Sequence, residues 1–226
     1  MAEALKSPPE GRVTLRNVGW ETFERLVEED PGRSAPRFFY DRGELEIVSP
    51  SFEHQQITRI IAILVEELSV ELDIDVVSAG ATTFKREDLL RGFEPDACFY
   101  FFGNIPRVRG KRRLSLDAGD PPPNLVVEVD ITSPSTSPST SKLPIYSRLG
   151  VAEVWRHDGD RLMILGASQW NAGEVRYTEI SESAIFAPAR VSGKSLTHFV
   201  EQGLASHRPA WTRMVREWAR KLRRTS

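Results

Sequence analysis

Two acidic side chains interrupt an apolar run near the middle of this 226-residue chain. Residues 124–131 read NLVVEVDI, which is typical of a buried β-strand, yet the run contains Glu128 and Asp130. Because side chains alternate along a strand, the two carboxylates point to one face and the flanking valines point to the other. Like charges repel and burial adds a desolvation cost, so this pair requires a cation, a proton or an arginine beside it.

A third acid, Asp96, follows Pro95 at the start of another predicted strand, PDACFYF, at residues 95–101. If the two strands are neighbours, the carboxylates of Asp96 and Glu128 converge on one point. Two or three carboxylates with backbone carbonyls and water form the hard oxygen site that Mg²⁺ prefers. Taken alone, Asp96 is more typical of a turn or a cap, whereas an acid pair inside VVEVDI is harder to explain by solvation.

Lys142 follows a low-complexity segment in which SPST occurs twice, at 133–136 and 137–140. It begins a predicted helix at 142–149, in which Pro144 is compatible only with the first turn. From the residues alone, Lys142 is a solvated lysine whose replacement by alanine would disturb the fold little. Tyr146 lies four residues later on the same helix face, and it either orients Lys142 or belongs to the core.

The elements that must position these residues follow from apolar periodicity and turn signals. Helices are predicted at 20–29 and at 53–72, the latter with a wide apolar stripe of Ile57, Ile60, Ile61, Leu64, Val65 and Leu68. Two shorter helices are predicted at 195–202 and 211–222. Further strands are predicted as a hairpin within 37–50, at 75–86, as a hairpin of 152–157 with 161–165, and at 175–180. We therefore expect a flexible tail at 1–13 and one mixed α/β domain at 14–226, with helices packed on a central sheet.

The composition of the chain argues against a disulfide-stabilised, a cysteine-rich zinc-binding or a membrane-spanning protein. The chain has 30 basic and 32 acidic residues, and its single cysteine, Cys98, excludes an internal disulfide framework and a cysteine-rich zinc site. The N-terminus has no apolar signal-peptide core, and no stretch approaches the roughly 20 apolar residues of a membrane span, so we expect a cytoplasmic protein without membrane contact. The basic stretches at 107–114 and 213–224 either meet phosphate or form solvated faces, the latter being more common.

An ordered set of motifs resembles the Uma2 family, a domain of unknown function in cyanobacteria that is placed among the PD-(D/E)xK nucleases. The set consists of PDACFYF, PPPNLVVEVDITSPS and KLPIYSRLGVAEVWR, preceded by YDRGELEIVSPSFEHQQI, and it runs from about Phe38 to Trp155. The resemblance implies a restriction-endonuclease-like α/β fold, with a central mixed sheet flanked by helices. It also implies an endonuclease that hydrolyses phosphodiester bonds, chiefly in DNA, with Mg²⁺ or alternatively Mn²⁺ as cofactor.

The resemblance also assigns roles. Asp96 and Glu128 would bind the metal together with the backbone carbonyl of Val129. The usual lysine two residues after the second acid is here Asp130, and the resemblance implies Lys142 as its replacement. Such sites often include a further acid upstream, for which the candidates are Glu46, Glu53 and His54; Glu53 and His54 are equally compatible with a capping role in the first helical turn.

Two functions remain open from the sequence. The first is the metal-dependent nuclease, which by analogy with this superfamily would act as a homodimer when it cuts two strands. The second is a catalytically inactive relative that binds nucleic acid or protein, because a fold does not guarantee an activity.

Overall fold

The computed structural model describes residues 11–29, 35–131, 138–169 and 175–225. Its helices are α1 Trp20–Glu29, α2 Phe52–Leu72, α3 Ile105–Val108, α4 Pro138–Leu149, α5 Gly193–Ala205 and α6 Arg208–Thr225. Its strands are β1 Gly11–Leu15, β2 Arg37–Asp41, β3 Glu44–Ser49, β4 Val76–Gly80, β5 Phe84–Arg86, β6 Arg91–Phe93, β7 Ala97–Phe101, β8 Leu125–Val129, β9 Glu153–His157, β10 Leu162–Gln169 and β11 Val175–Glu179.

The predicted central sheet is mixed and has six strands in the order β11-β10-β9-β8-β7-β4. Its neighbouring strands are antiparallel except for β8 and β9, which run parallel. Parallel neighbours need a crossover connection, and the chain between β8 and β9 contains α4. The crossover therefore carries Lys142 back over the sheet that holds Glu128.

A second sheet, which the sequence did not predict as a separate layer, has five antiparallel strands in the order β1-β3-β2-β6-β5. The single strand predicted at 75–86 is wrong, because its two halves belong to different sheets. The register of β4 shifts between Ser78 and Gly80, and Gly80 has a positive φ of 59°. Glycine adopts this conformation at little cost, so the chain can leave the central sheet here and enter the small one.

Helices α2 and α5 cover one face of the central sheet, and α6 packs on both helices from the same side. The predicted apolar stripe of α2 is confirmed, since Ile57, Ile60, Ile61, Leu64, Val65 and Leu68 are all buried in one cluster. A Cβ atom at Gly203 of α5 would lie 2.8 Å from Ile60 Cγ2, so glycine permits the close approach of α5 to α2. Arg216 and Arg220 of α6 each bind a glutamate of α2, Glu67 and Glu71, through two hydrogen bonds. The basic stretch at 213–224 is thus largely engaged within the fold.

The small sheet and α4 cover the opposite face. Phe39, Phe93 and Tyr146 pack there against Val126 and Val154 of the central sheet. Among the helices in the described part of the chain, none combines the length and apolar character that crossing a membrane requires.

The boundaries of β1 and α4 differ from the sequence predictions in ways that affect the fold and the site. Residues 11–13, assigned to the tail, lie in β1, which pairs with β3, while residues 1–10 lie outside the described ranges. Helix α4 begins at Pro138 rather than at Lys142, so Pro144 lies inside it and not in its first turn. An interior proline costs about 3 kcal/mol. Burial of Ile145, Tyr146 and Leu149 against the core offsets that cost.

Candidate active site

The register of β7 and β8 places Asp96 beside Glu128. Ala97 pairs with Val127 in this antiparallel ladder, and one further step sets Asp96 opposite Glu128. The Asp96 carboxylate accepts a hydrogen bond from the backbone N–H of Val129 through Oδ2, at 2.6 Å. Val127 and Val129 belong to the core under α2, so Glu128 points the other way, toward the small sheet and α4. The two acids therefore lie on adjacent chain segments and share one face of the sheet.

Glu128 is held by two side chains of α4. Lys142 Nζ lies 3.0 Å from Oε2, and the Tyr146 hydroxyl donates to Oε1. Burial raises the pKa of Tyr146 well above its usual value, and the Glu128 carboxylate raises it further, so the phenol keeps its proton and remains a donor. Lys142 also lies over the ring of Phe39, with Nζ 3.4 Å from the centroid.

The position of Lys142 corrects the sequence interpretation. Its side chain is only 5% exposed and lies in the interior of α4, not solvated in a first turn. The helix begins four residues earlier than predicted, so Lys142 lies beyond its first turn, and the contacts with Glu128 and Phe39 show that its side chain lies on the packed face. Tyr146 contacts Glu128 itself, and it lies in the core as well.

Asp96 is held by groups from two other elements. Its Oδ1 forms an ion pair with Nη1 of Arg37, the first residue of β2. His54 Nε2 lies 2.8 Å from the same oxygen. His54 is in the first turn of α2, where its backbone N–H donates to the capping side chain of Ser51. His54 is therefore in the candidate site, while Ser51 provides the cap.

Asp130, at the position where the superfamily usually has its lysine, is paired with Arg156. The Arg156 guanidinium on β9 lies 3.7 Å from Asp130 Oδ2, and the parallel register sets Arg156 beside Glu128. Asp130 is 1% exposed. In VVEVDI, Glu128 thus pairs with a lysine and Asp130 pairs with an arginine, each from a neighbouring element.

The two remaining candidates differ in their placement. Glu46 pairs with Arg12 of β1 at 2.5 Å and lies opposite Phe39 in the small sheet. Residues directly opposite each other in an antiparallel pair share a face, and the Phe39 ring contacts Lys142, so Glu46 lies on the side of the small sheet that faces the site. Glu53 is exposed in the first turn of α2.

The donor chemistry of Asp96 and Glu128 suits a hard divalent ion, but protein groups hold every carboxylate oxygen of the two residues. Arg37 and His54 hold Asp96 Oδ1, Val129 holds Oδ2, and α4 holds both oxygens of Glu128. Within the described residues, no three His, Cys, Asp or Glu side chains are grouped so that they could share a metal ion. An ion that bound Asp96 Oδ1 would have to displace Arg37 or His54, since both contact that oxygen.

Periodicity and motifs do not reveal Arg37, Arg156 or the contact of Phe39 with Lys142. A signal for the arginines was available, because each is a charged residue within or beside an apolar run, RFFY or EVWRH. The same criterion identifies Glu128. Matching acidic residues in apolar strands with basic residues in other apolar strands suggests Arg37 and Arg156 as the partners of the acids.

The basic stretch at 107–114 lies away from this site. Asp96 precedes β7 and Asp130 follows β8, whereas the stretch follows the other end of β7 and leads to the start of β8. Arg109 pairs with Asp75, and Lys111 pairs with Asp120. These cations therefore lie at the opposite end of the strands from the paired acids.

Comparisons with known proteins agree with this architecture. The model of the Uma2 family, described as "Putative restriction endonuclease", matches residues 20–191. A solved structure from Anabaena variabilis, described as a "putative nuclease belonging to DUF820", superposes with a TM-score of 0.52 at 15% sequence identity, covering 81% of this chain and 99% of that one. A comparison with curated proteins gives no match. The fold is restriction-endonuclease-like, and the family match covers most of the chain: this protein belongs to the Uma2 family.

Proposed function

We propose that this protein is a metal-dependent endonuclease that hydrolyses phosphodiester bonds in DNA. The observation that carries the proposal is the meeting of Asp96, Glu128 and Lys142 on one face of the central sheet. Two carboxylates and one lysine are the groups that the PD-(D/E)xK pattern requires. Family membership and fold support the same activity.

In this proposal Asp96, Glu128 and the Val129 carbonyl hold Mg²⁺ or Mn²⁺. The bound ion would polarise the phosphoryl group and lower the pKa of the attacking water. Lys142 supplies an amino group held in place by its contact with Glu128, and a positive charge there stabilises the negative charge that develops on phosphorus. Tyr146 holds Glu128 in one orientation through its hydroxyl.

The substrate phosphate would meet cations of the site itself. The basic stretch at 107–114 lies at the far end of the strands, and α6 lies on the other face of the sheet. Arg37, Lys142 and Arg156 contact Asp96, Glu128 and Asp130, respectively. Cutting both strands of a duplex would further require two copies of the chain, so the proposal includes a homodimer. It also includes a cytoplasmic location.

The second candidate function is a catalytically inactive member of the fold that binds nucleic acid or protein. The closed network of ion pairs favours it, because each acid of the site already has a cation of the protein beside it. A protein that uses no metal has no need to release these pairs.

Cleavage assays separate the two functions. Single-stranded and double-stranded DNA, and RNA for comparison, would be incubated with the purified protein and Mg²⁺ or Mn²⁺. The nuclease proposal expects metal-dependent cleavage that is lost in Glu128→Gln. The matched control is Glu153→Gln, a buried glutamate on the adjacent strand β9 that binds Trp155 and Ser183 on the opposite face of the sheet. Nucleic-acid binding without cleavage at any metal concentration would support the inactive candidate.

A further inference from the structure

Arg37 occupies the part of Asp96 that a metal ion would need. Oδ2 of Asp96 accepts from the Val129 N–H, which leaves Oδ1 as the oxygen that faces the other side chains. The Arg37 guanidinium and His54 Nε2 both contact Oδ1. The Arg37 and Asp96 side chains are 5% and 4% exposed, so water screens this ion pair weakly.

A buried carboxylate needs a countercharge whether or not a metal is present. We infer that Arg37 is an internal competitor of the divalent ion: its guanidinium neutralises Asp96 in the metal-free protein and must leave Oδ1 when the ion binds. The inference rests on the metal site of the proposed function. It gives Arg37 a role in setting metal affinity, distinct from the roles of Asp96 and Glu128 as ligands.

Two physical effects of the Arg37 guanidinium lower the apparent affinity for the metal ion. Metal binds only to the fraction of molecules in which Oδ1 is released, so the apparent affinity falls in proportion to that fraction. A guanidinium that stays nearby also repels the incoming ion. Removing the charge of Arg37 eliminates both effects, and metal should then bind more tightly although no ligand has been added.

The small sheet offers a matched control. Arg91 of β6 is also buried, and it pairs with Asp41 at 3.1 Å. Asp41 is the last residue of β2, whereas Arg37 is the first, so this pair lies at the other end of the strand. Arg91→Gln therefore removes a buried guanidinium from the same sheet and leaves Asp96 untouched.

The test is calorimetric titration of the wild type, Arg37→Gln and Arg91→Gln with MnCl₂ and with MgCl₂ at fixed pH and ionic strength. We expect Arg37→Gln to bind at least about tenfold more tightly than the wild type, equivalent to about 1.4 kcal/mol. Arg91→Gln should bind as the wild type does. Thermal unfolding gives a second readout, in which Arg37→Gln should be less stable without metal and gain more from saturating Mn²⁺ than the wild type.

The outcomes also separate this inference from the proposed function. Metal binding by the wild type with equal or weaker affinity in Arg37→Gln would overturn the competitor role alone. Failure of both proteins to bind either ion would overturn the metal site itself, and the competitor role with it. Binding by Arg37→Gln but not by the wild type would support both the metal site and the competitor role.

If Arg37→Gln does not fold, Arg37→Lys keeps a cation with a weaker, single-point hold on Oδ1. Its affinity should then exceed that of the wild type, and a weaker affinity would reject the inference.

Discussion

Lys142 Nζ lies 3.0 Å from Glu128 Oε2, although the two residues are 14 positions apart in the chain. The parallel crossover makes this possible, because α4 lies over the face of β8 from which Glu128 projects. The position two residues after Glu128, where the family pattern would place a lysine, holds Asp130 and receives its cation from Arg156 instead. The lysine thus reaches the acid from a helix rather than from the same strand.

Lys142→Ala should abolish cleavage and also destabilise the fold. Glu128 is 1% exposed, and loss of its cation leaves a buried charge unpaired, which costs about 3–5 kcal/mol. This replaces the expectation of a nearly neutral substitution, which assumed a solvated lysine. Urea unfolding measures the effect, with Lys85→Ala as control. Lys85 pairs with Glu24 at a partly exposed position and should contribute about 1 kcal/mol or less. An equal, small loss in both variants would contradict the buried pair.

Asp96→Asn should destabilise the metal-free protein. Repulsion between crowded carboxylates alone would predict the opposite, since a neutral amide relieves it. The structure supplies Arg37 as a countercharge, and the substitution removes the buried carboxylate that this guanidinium contacts, at a cost of about 3 kcal/mol or more. Thermal melts with and without Mg²⁺ should show lower stability and a smaller metal-induced gain. The double variant Asp96→Asn with Arg37→Gln should recover part of the loss, and no recovery would argue against direct coupling of the two residues.

Tyr146→Phe should cost more stability than Tyr177→Phe. The Tyr146 hydroxyl donates to the Glu128 carboxylate, and a hydrogen bond to a charged group contributes about 1.5–3 kcal/mol. The Tyr177 hydroxyl donates to the neutral carbonyl of Val151, where about 1 kcal/mol is typical. Chemical denaturation of the two single variants compares them directly. The reverse order would mean that the Tyr146 contact adds little to the fold.

Asp130→Lys should destabilise the protein strongly, although it restores the spacing that the superfamily usually shows. The new ammonium group would face Arg156 in a position that is 1% exposed, so we expect a loss of about 3–5 kcal/mol in urea unfolding. Adding Arg156→Glu reverses the pair and should recover much of this loss. The surface pair of Arg161 and Glu179 provides the control, because Glu179→Lys there should cost about 1 kcal/mol or less.

His157→Asn should reduce the loss of stability in mild acid. Burial lowers the pKa of His157 from its usual value near 6.5, so the unfolded chain takes up a proton at a higher pH than the folded protein does. The stability linked to the neutral imidazole is therefore fully present above pH 6.5 and is lost as the pH falls toward the folded pKa. Each unit of lowering corresponds to about 1.4 kcal/mol. The difference in unfolding free energy between wild type and variant should shrink from pH 8 to pH 5, and a constant difference would refute the assignment.

Local patterns in the sequence predicted most of the large elements. The apolar stripe of α2 and the valine run of β8 are strong periodic signals, and both are confirmed. The small sheet was missed as a layer because β5 and β6 have only three residues each, too few for a periodic pattern. Its pairings also join segments that are distant in the chain, such as β2 with β6.

The candidate site was predictable only in its acids. Asp96 and Glu128 follow from strand patterns, and the resemblance to a family added Lys142. The partners Arg37 and Arg156 depend on which strands become neighbours and on how one sheet packs on another. Local periodicity carries no information on either, and so the countercharges of a buried site emerge only from the tertiary structure.

The ion pairs between α2 and α6 also determine when this chain can complete its fold. Glu67 with Arg216, and Glu71 with Arg220, are each 149 residues apart in sequence. Contacts of such separation raise the contact order and slow folding, since a long loop must close before the contacts repay its entropy. During synthesis, the apolar face of α2 leaves the ribosome long before its partner helix exists. The part of α2 that packs on α6 therefore stays uncovered or chaperone-bound until α6 has been made, even after the strands have covered the rest of the helix.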